Sequence, residues 1–481
     1  MPPTLALLIW LVLLLALFAF DAAKVPGTSG ALWVPVIWIF ILGSRLPSLW
    51  LGFRAGSAAQ AMEEGNPLDR TIDLVLIVLA LAILISRSFQ WDKFFRHDFA
   101  LVVFVGFGLV SVLWSDFPFI AFKRWFRDLG SYFAILVVLS DPRPLEAVRT
   151  VLRRLAYLLI PLSILLNKYY PQLSKQYDQW TGTGFFVGAT TSKNMLGALC
   201  LVSGLFFFWD TVTRWKERKD KRTKRILIVN FAFMGMTAWL QDLSNSATSS
   251  VCLVIGCLVI LATHSKLLQR HPSFVKALIP SCFLLYLILA FGFDLNGQLA
   301  SQVGRNPTLT DRTAIWKTVL SVKTNPLIGT GYESFWLGSR LVYVWQIVAG
   351  INEAHNGYLE VYLNLGLIGV FLLGGLLITC YRKICKPLAS CFDLASLNLA
   401  LWIVTLFYNI TESAFKLHLM WVTFLLAAVA VPQRAADRAG SIVAVGPMST
   451  TGRFRSLRPD LCGGAGQPAS LPLPLPSRGV S

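Results

Sequence analysis

The feature that most constrains this chain is a series of apolar blocks that recur along most of its length. A membrane-spanning helix needs roughly 20 mostly apolar residues, and blocks near that length repeat from the N-terminus to residue 432. Only 14% of the residues are charged, against about 25% in an average soluble protein. Too few charged side chains are therefore available to cover a water-exposed surface. The sequence predicts an all-α, polytopic integral membrane protein.

The positions of these blocks predict a bundle of about 12–13 transmembrane helices. The first block is expected to stay in the mature protein, since no small-residue cleavage site follows it. Residues 433–481 include "CGGAGQPASLPLPLPSRGVS" and have no helical period, so they are predicted to form a disordered cytoplasmic tail. Residues 1–432 then form one membrane domain. The predicted spans lie near residues 4–20, 31–51, 71–86, 99–114, 128–140, 148–167, 195–209, 226–240, 247–263, 277–293, 357–379, 395–410 and 417–432.

The basic residues predict how the chain is oriented in the membrane. The formal net charge is +18, and much of it lies in short loops between apolar blocks. The segment 210–225, "DTVTRWKERKDKRTKR", holds eight Lys or Arg against three acids, and short basic loops mark the cytoplasmic side. Topology therefore accounts for most of the excess charge. No nucleic-acid recognition motif accompanies it, so a nucleic acid is not expected as a partner.

One long segment, 294–356, falls on the outer face if the spans alternate. Long loops are uncommon unless they are functional or disordered, and this one is not of low complexity. The stretch "TLTDRTAIWKTVLSVKTNP" begins with a Thr/Asp start signal and ends at Pro326, which predicts a helix. A glycine-rich turn, "LIGTGYESF", follows it. The outer segment is therefore expected to contain short helices and to carry a site.

Two residues of the outer segment are the first candidates for chemistry. His355 lies at the start of an apolar helix, and the unperturbed pKa of histidine suits proton transfer near neutrality. The alternative is an interfacial histidine held by Glu353 or by a backbone carbonyl. Arg312 offers a planar fork of donors that matches phosphate oxygens. For this arginine, the alternative is a simple ion pair with its neighbour Asp311.

Other polar residues are predicted at the outer ends of helices. Lys123 and Arg124 stand there against the usual charge bias, which indicates either anion binding or a misplaced span. Lys193 and Asn194 precede one span, where a plain helix-entry turn is the alternative, and Glu412 follows another. The outer segments show no Asp/Glu cluster spaced for a hard cation, and no paired CxxC ligands are present. No metal is therefore expected.

Several motifs, taken in order, resemble the core of the O-antigen ligase and polymerase superfamily. Their pattern is Arg-x-x-x-Trp, then Pro-x-x-Gly-x-Gly, then His-Asn-x-x-Leu-Glu, then Gly-x-x-Gly. The stretches "LWSDFPFIAFKR" and "SKNMLG" also look like exopolysaccharide polymerases of the ExoQ/Wzy type, and the likeness spans about residues 30–432. The motif residues are Arg312 and Trp316, Pro326, Gly329 and Gly331, His355, Asn356, Leu359 and Glu360, and Gly366 and Gly369.

The resemblance implies a multi-helix glycosyltransferase of a bacterial inner membrane that acts on its periplasmic face without a metal or other cofactor. Its substrate would be an undecaprenyl-diphosphate-linked oligosaccharide in the lipid bilayer, and chain-length regulator and export proteins would be partners. His355 matches the family's essential histidine and Arg312 its arginine, so these are the expected catalytic residues. Relatives often carry His or Arg where this chain has Lys193. The expected substrate-binding residues are Lys193, Asn194, Arg124, Lys123, Trp316, Asn356, Glu360, Tyr332 and Glu412.

On this interpretation Arg312 neutralises the diphosphate leaving group, and His355 takes the proton of the acceptor hydroxyl. Cationic neighbours are expected to lower the pKa of the His355 ring. A polysaccharide polymerase is the first prediction, and an O-antigen ligase that passes the glycan to lipid A core is the alternative. A flippase or solute transporter is a different class. It should bury charges near the mid-membrane, whereas the predicted spans are almost free of them.

Overall fold

The structure is a computed structural model that describes residues 1–22, 29–53, 65–177, 182, 184–265, 281, 283, 312–348, 350–386 and 392–429. It confirms the predicted all-α class, since the regular elements among these residues are helices except for one antiparallel pair of strands, β1 (Lys175–Tyr177) and β2 (Gly184–Phe186). The predicted tail and the first part of the long outer segment lie outside the described residues. The helices are α1 (Pro3–Ala22), α2 (Trp33–Leu42), α3 (Pro47–Trp50), α4 (Pro67–Ser86), α5 (Trp91–His97), α6 (Phe99–Val110), α7 (Pro118–Leu139), α8 (Pro144–Tyr169), α9 (Pro171–Ser174), α10 (Lys193–Arg214), α11 (Lys221–Ser244), α12 (Ala247–His264), α13 (Arg312–Ser321), α14 (Gly338–Ile347), α15 (Gly357–Cys385), α16 (Phe392–Thr411) and α17 (Leu419–Ala428), and 3-10 turns occupy Gly30–Leu32, Ser111–Trp114 and Trp215–Glu217.

Seven of the described helices are long and apolar enough to cross a membrane. An eighth span results if α4 and α5, which meet at a bend of 106°, count together, and three further apolar helices are shorter. The predicted span 277–293 lies outside the described residues, whereas the predicted span 128–140 is the second half of the longer helix α7. The prediction that the spans are almost free of charged residues is wrong in places, because Asp128 is buried in α7 and Arg153 of α8 pairs with Asp21 at 2.8 Å.

Helix α10 lies at the centre of the bundle and α1 at its edge. In the most apolar stretch of each helix, 83% of the residues are buried in α10 but only 11% in α1. Both are strongly apolar, so composition alone does not separate a central helix from one that faces lipid. The buried faces of α8, α10, α16 and α17 form one continuous hydrophobic core.

Helix α15 is broken at Gly366, and the glycine-rich turn of the outer segment docks into the break. Gly366 has φ 65° and ψ −166°, so the backbone beyond it needs new hydrogen-bond partners. The amides of Leu367 and Ile368 donate to the carbonyls of Pro326 and Leu327 at 2.9 and 3.1 Å. On the other side of the break, the amides of Thr330 and Gly331 donate to the carbonyls of Leu363 and Asn364 at 3.1 and 2.9 Å. Two motifs distant in sequence thus form a single backbone structure.

The rest of the outer segment has a small core of its own, formed by α13, α14 and the start of α15. Trp316 of α13 donates from Nε1 to the Ala354 carbonyl at 2.9 Å. The carboxylate of Glu360 accepts hydrogen bonds from Trp336 Nε1 at 2.6 Å and from the Ala354 amide at 2.9 Å. These bonds hold residue 354 from two sides and so fix the backbone immediately before His355.

Candidate active site

The structure brings four of the predicted site residues together at the mouth of α15. Nη2 of Arg312 lies 2.6 Å from Oε1 of Glu412. The other carboxylate oxygen of Glu412 accepts a hydrogen bond from Asn194 Nδ2 at 3.0 Å and lies 3.6 Å from Nδ1 of His355. Glu412 is therefore the common contact of Arg312, His355 and Asn194, which come from three different parts of the chain.

Glu412 reaches this position because the end of α16 is fastened to the start of α15. The Asn356 amide donates to Ser413 Oγ at 3.2 Å, and Asn356 Nδ2 donates to the Ile410 carbonyl at 3.1 Å. Asn356 is also the N-cap of α15, since its side chain accepts the Leu359 amide at 3.0 Å, the standard use of Asn at a helix start. One asparagine thus caps the helix and places Glu412 beside His355.

His355 has an unusual backbone conformation for a residue other than glycine. Its φ is 47°, in the left-handed region that costs such residues energy unless the surroundings hold them there. The hydrogen bonds of Ala354 and Asn356 provide that support on either side. In the resulting orientation Nδ1 faces two carboxylates, Glu353 at 3.1 Å and Glu412 at 3.6 Å. Nε2 is therefore the nitrogen available to a substrate.

Two charged residues of this cluster were not identified as site residues from the sequence. Glu353 pairs with His355 and, through its second oxygen, lies 3.0 Å from Nζ of Lys416. Lys416 follows Glu412 in the loop between α16 and α17. Glu353 lies two residues before His355 in the sequence, so its position offered a signal. No pattern in the sequence connects Lys416 with Glu353.

The two carboxylates reverse the predicted effect on His355. Burial lowers the pKa of the ring, but the hydrogen bonds and negative charges of Glu353 and Glu412 outweigh burial and raise the pKa to about 9. The expectation that cationic neighbours lower it is wrong, because the groups facing the ring are acids. For the Glu353 carboxyl, burial raises the pKa. Lys416 and His355 more than offset this effect and hold the pKa of Glu353 well below its usual range. Near neutral pH the ring is therefore mostly an imidazolium.

The same side chains make up a possible set of metal ligands. One atom each from Glu353, His355 and Glu412 lie within 4.8 Å of one another. The sequence-based prediction that the outer segments hold no such acidic group is wrong, because the fold brings Glu412 to a site it does not adjoin in sequence. Both carboxylates already face cations, Arg312 on one side and Lys416 on the other. These charges disfavour a divalent ion at the same oxygens.

Three other predicted substrate-binding residues make hydrogen bonds within the protein. Trp316 and Glu360 both hold Ala354, and Asn356 joins α15 to the loop after α16. In this structure they position His355 and Glu412.

The remaining predicted residues lie apart from the described contacts of His355. Nζ of Lys193 stands 5.2 Å from the ring of Phe185, and Nζ of Lys123 stands 4.8 Å from the ring of Phe119. Arg124 donates to the Glu333 carbonyl, and the hydroxyl of Tyr332 donates to Asp128 at 2.7 Å. The structure therefore unites Arg312, His355, Asn194 and Glu412 but not the basic residues of α7.

Fold and site together define a multi-pass membrane protein whose charged cluster lies where a broken helix begins. Comparison with known proteins shows what this part of the chain is similar to. Residues 242–374 match the family model described as O-Antigen ligase, and this range contains both Arg312 and His355. The predicted resemblance to the O-antigen ligase and Wzy-type family is confirmed over this range.

One characterised relative is similar over a longer range. The chain is 26% identical over 304 residues to the exopolysaccharide production protein ExoQ of Rhizobium meliloti (strain 1021). The alignment covers 60% of this chain and 66% of that relative, slightly less than two thirds of its length. Together with the family match, this relates the chain to proteins of polysaccharide production.

Proposed function

We propose that the protein is a glycosyltransferase that polymerises undecaprenyl-diphosphate-linked oligosaccharide repeats at the periplasmic face of a bacterial inner membrane. The observation that carries the proposal is the meeting of Arg312, His355 and Glu412 at one helix mouth. Such a site places a phosphate-binding cation beside a proton acceptor, at the end of an apolar helix where a lipid-anchored donor would present its head group.

Arg312 is assigned to the diphosphate. Within the part of the chain that the structure describes, its guanidinium pairs with Glu412 through Nη2, so Nε and Nη1 are available to phosphate oxygens. A fixed guanidinium stabilises charge that develops on a leaving group without reorganisation. Glu412 holds this cation in place, and Asn194 in turn holds Glu412. Lys193, next in sequence to Asn194, has no acidic partner within the described residues and supplies a second positive charge near the donor.

His355 is assigned to the acceptor. The acceptor hydroxyl oxygen attacks the anomeric carbon of the donor, and the bond from that carbon to the diphosphate oxygen breaks. The bonding electron pair leaves with the diphosphate, and the hydroxyl proton moves to Nε2 of His355 in its neutral form, which is the minor form near neutral pH because the pKa of the ring is raised to about 9. Glu353 and Glu412 hold the opposite nitrogen and stabilise the imidazolium that forms, as a buried carboxylate does for histidine in other transferases and hydrolases. A single displacement of this kind inverts the anomeric centre.

A polymerase is favoured because the similar relative is an exopolysaccharide production protein. A ligase that transfers the glycan to lipid A core is the second candidate, favoured by the description of the matching family. Glycan analysis of a deletion strain separates the two. Loss of long-chain polysaccharide with single repeats remaining on the lipid carrier is the expected result. Long chains retained on the lipid carrier with a bare lipid A core would instead identify a ligase, and unchanged glycans would contradict both assignments.

A further inference from the structure

Lys416 is a charged member of the cluster around His355 that has no part in the proposed transfer. Its Nζ lies 3.0 Å from Oε2 of Glu353, and the other oxygen of Glu353 lies 3.1 Å from Nδ1 of His355. The side chains of Lys416 and Glu353 are each 26% exposed, so solvent screens this pair less than an ion pair on an open surface. The cluster thus continues one residue beyond Glu353.

The loop between α16 and α17 holds the backbone of Lys416 on both sides. Before Lys416, the amide of Ala414 donates to Oδ1 of Asn409 at 2.8 Å, and the ring of Phe415 is buried. After it, His418 caps α17, since its Nδ1 accepts an amide of the first turn at 3.1 Å. The packing of this loop therefore sets the position from which Lys416 reaches the cluster.

The two carboxylates that face the ring of His355 differ in their other partners. Glu412 is engaged through Oε1 by Arg312 at 2.6 Å and through Oε2 by Asn194 at 3.0 Å. It stands 3.6 Å from Nδ1 of His355, whereas Glu353 stands 3.1 Å from the same atom. Glu353 is therefore the nearer partner of the ring, and Glu412 is chiefly the partner of Arg312.

The carboxylate of Glu353 depends on Lys416 for its orientation. Within the described residues its charged partners are the ring of His355 on one oxygen and the ammonium of Lys416 on the other. Without Lys416 the ring would be its one remaining charged partner there, and the carboxylate could turn away from Nδ1. A histidine base commonly relies on a further group that orients it. Here that orienting group, Glu353, is itself held by a lysine.

We propose that Lys416 is a positioning residue for glycosyl transfer: it holds Glu353 against Nδ1 of His355 and so keeps Nε2 directed at the acceptor hydroxyl. Lys416 itself touches neither the substrates nor the reacting atoms. The loop after α16 then serves both halves of the site, through Glu412 on the diphosphate side and through Lys416 on the acceptor side. This assignment rests on the proposed function but concerns a residue to which that function gives no role.

The test measures transfer from a lipid-linked donor by the full-length protein in lipid nanodiscs, on the high-pH plateau of each variant, where the ring is neutral. Lys416→Met removes the ammonium and keeps a long side chain. It is expected to lower kcat by about 10- to 100-fold, as misplacement of a catalytic group does, and to leave KM for the donor unchanged. Lys416→Arg is expected to restore most of the rate, since a guanidinium also pairs with a carboxylate. Lys317→Met, at an exposed lysine of α13, is the matched control.

A double-mutant cycle shows whether Lys416 acts through Glu353. Lys416→Met alone leaves a half-buried carboxylate without its cation and is expected to lower the membrane level of the protein. Adding Glu353→Gln removes both charges, so the double variant is expected to accumulate normally. If Lys416 acts through Glu353, the double variant transfers no more slowly than Glu353→Gln alone, and the two losses are not additive.

Three results would overturn the assignment: additive losses, a Lys416→Met variant as fast as the wild type, or a raised KM for the donor with unchanged kcat. The last would make Lys416 a substrate-binding cation. The same cycle is repeated on thermal unfolding, which needs no substrate. Lys416→Met is expected to lower the melting temperature, and the added Glu353→Gln to recover part of the loss. Unchanged glycans in a deletion strain, together with this coupling, would instead refute the proposed function while the hold of Lys416 on Glu353 stands.

Discussion

Glu412 and Arg312 are 100 residues apart in the sequence, and their side chains meet at 2.6 Å. The Glu412 side chain is only 5% exposed, so its charge requires partners inside the protein. Arg312, His355 and Asn194 provide them from three separate segments. Glu412 therefore fixes the relative positions of Arg312 and His355, the two residues to which catalysis is assigned.

Arg312→Lys is expected to lower the rate of glycosyl transfer by about 10- to 100-fold, the effect of losing one charge-assisted hydrogen bond. An ammonium can pair with Glu412 but cannot at the same time offer a planar fork to a diphosphate. The measurement is single-turnover transfer from a lipid-linked donor. Arg70→Lys changes an exposed arginine on α4 and is the control. A lysine variant as fast as the wild type would make Arg312 a structural ion pair.

His355→Ala is expected to reduce the rate by about two to four decades, the contribution of a general base, and to leave donor binding in place. His355→Gln should not restore the rate, since an amide cannot accept a proton near neutral pH. His97→Gln changes an exposed histidine at the end of α5, far from His355 in the sequence, and serves as the control. Near-normal turnover by the Gln variant would show that the ring only orients the acceptor.

The rate is expected to rise with pH from neutrality towards about 9. The folded pKa of His355 is raised to about 9 by Glu353 and Glu412, after burial has lowered it, and only the neutral ring can accept a proton. Its contribution to stability has the opposite dependence: it is complete below the ordinary histidine pKa of about 6.5 and is lost as the pH rises through about 9.

The measurement is a pH–rate profile of the wild type and of Glu353→Gln. Removing one of the two carboxylates should lower the pKa of His355, so the rise of the rate with pH should occur at lower pH. A rate that falls between pH 7 and 9 would instead show that the protonated ring of His355 is the active form, acting as a further cation that stabilises the diphosphate.

Transfer is expected to persist in EDTA. Glu353 and Glu412 could join His355 around an ion, but they already balance the charges of Arg312 and Lys416. The assay compares protein treated with EDTA before and after addition of Mg²⁺ or Mn²⁺, with calorimetry to detect ion binding. Restoration of an EDTA-sensitive rate by either ion would assign diphosphate neutralisation to a metal.

Gly366→Ala is expected to lower the thermal stability and the membrane level of the protein. A Cβ at this position would stand 2.2 Å from the carbonyl carbon and oxygen of Leu327, at a φ that costs other residues about 1–3 kcal/mol. Gly374→Ala, in the same helix and with no atom within 4 Å of the added Cβ, is the control and should be neutral or slightly stabilising. Equal melting temperatures for the two variants would contradict the docking of the glycine-rich turn.

Much of the fold could be predicted from the sequence, because an apolar block of helical length is a local property. The spans near 4–20, 247–263 and 357–379 correspond to α1, α12 and the described course of α15. The predicted helix around Arg312 is present as α13. The start of α15 was also predictable from the sequence, since the N-cap formed by the Asn356 side chain involves only neighbouring residues. The break at Gly366 was not predicted, because it depends on backbone bonds to a turn some forty residues earlier.

The site was only partly predictable for the same reason. The sequence by itself determined a membrane protein and predicted that His355 and Arg312 lie in one segment between spans, since hydropathy and the order of motifs are properties of the linear chain. Only the tertiary structure decided that Glu412 joins them, that Lys416 pairs with Glu353, and that the pKa of His355 rises instead of falling. Electrostatic interactions depend on distance in space and on burial, and the sequence specifies neither until the helices have packed.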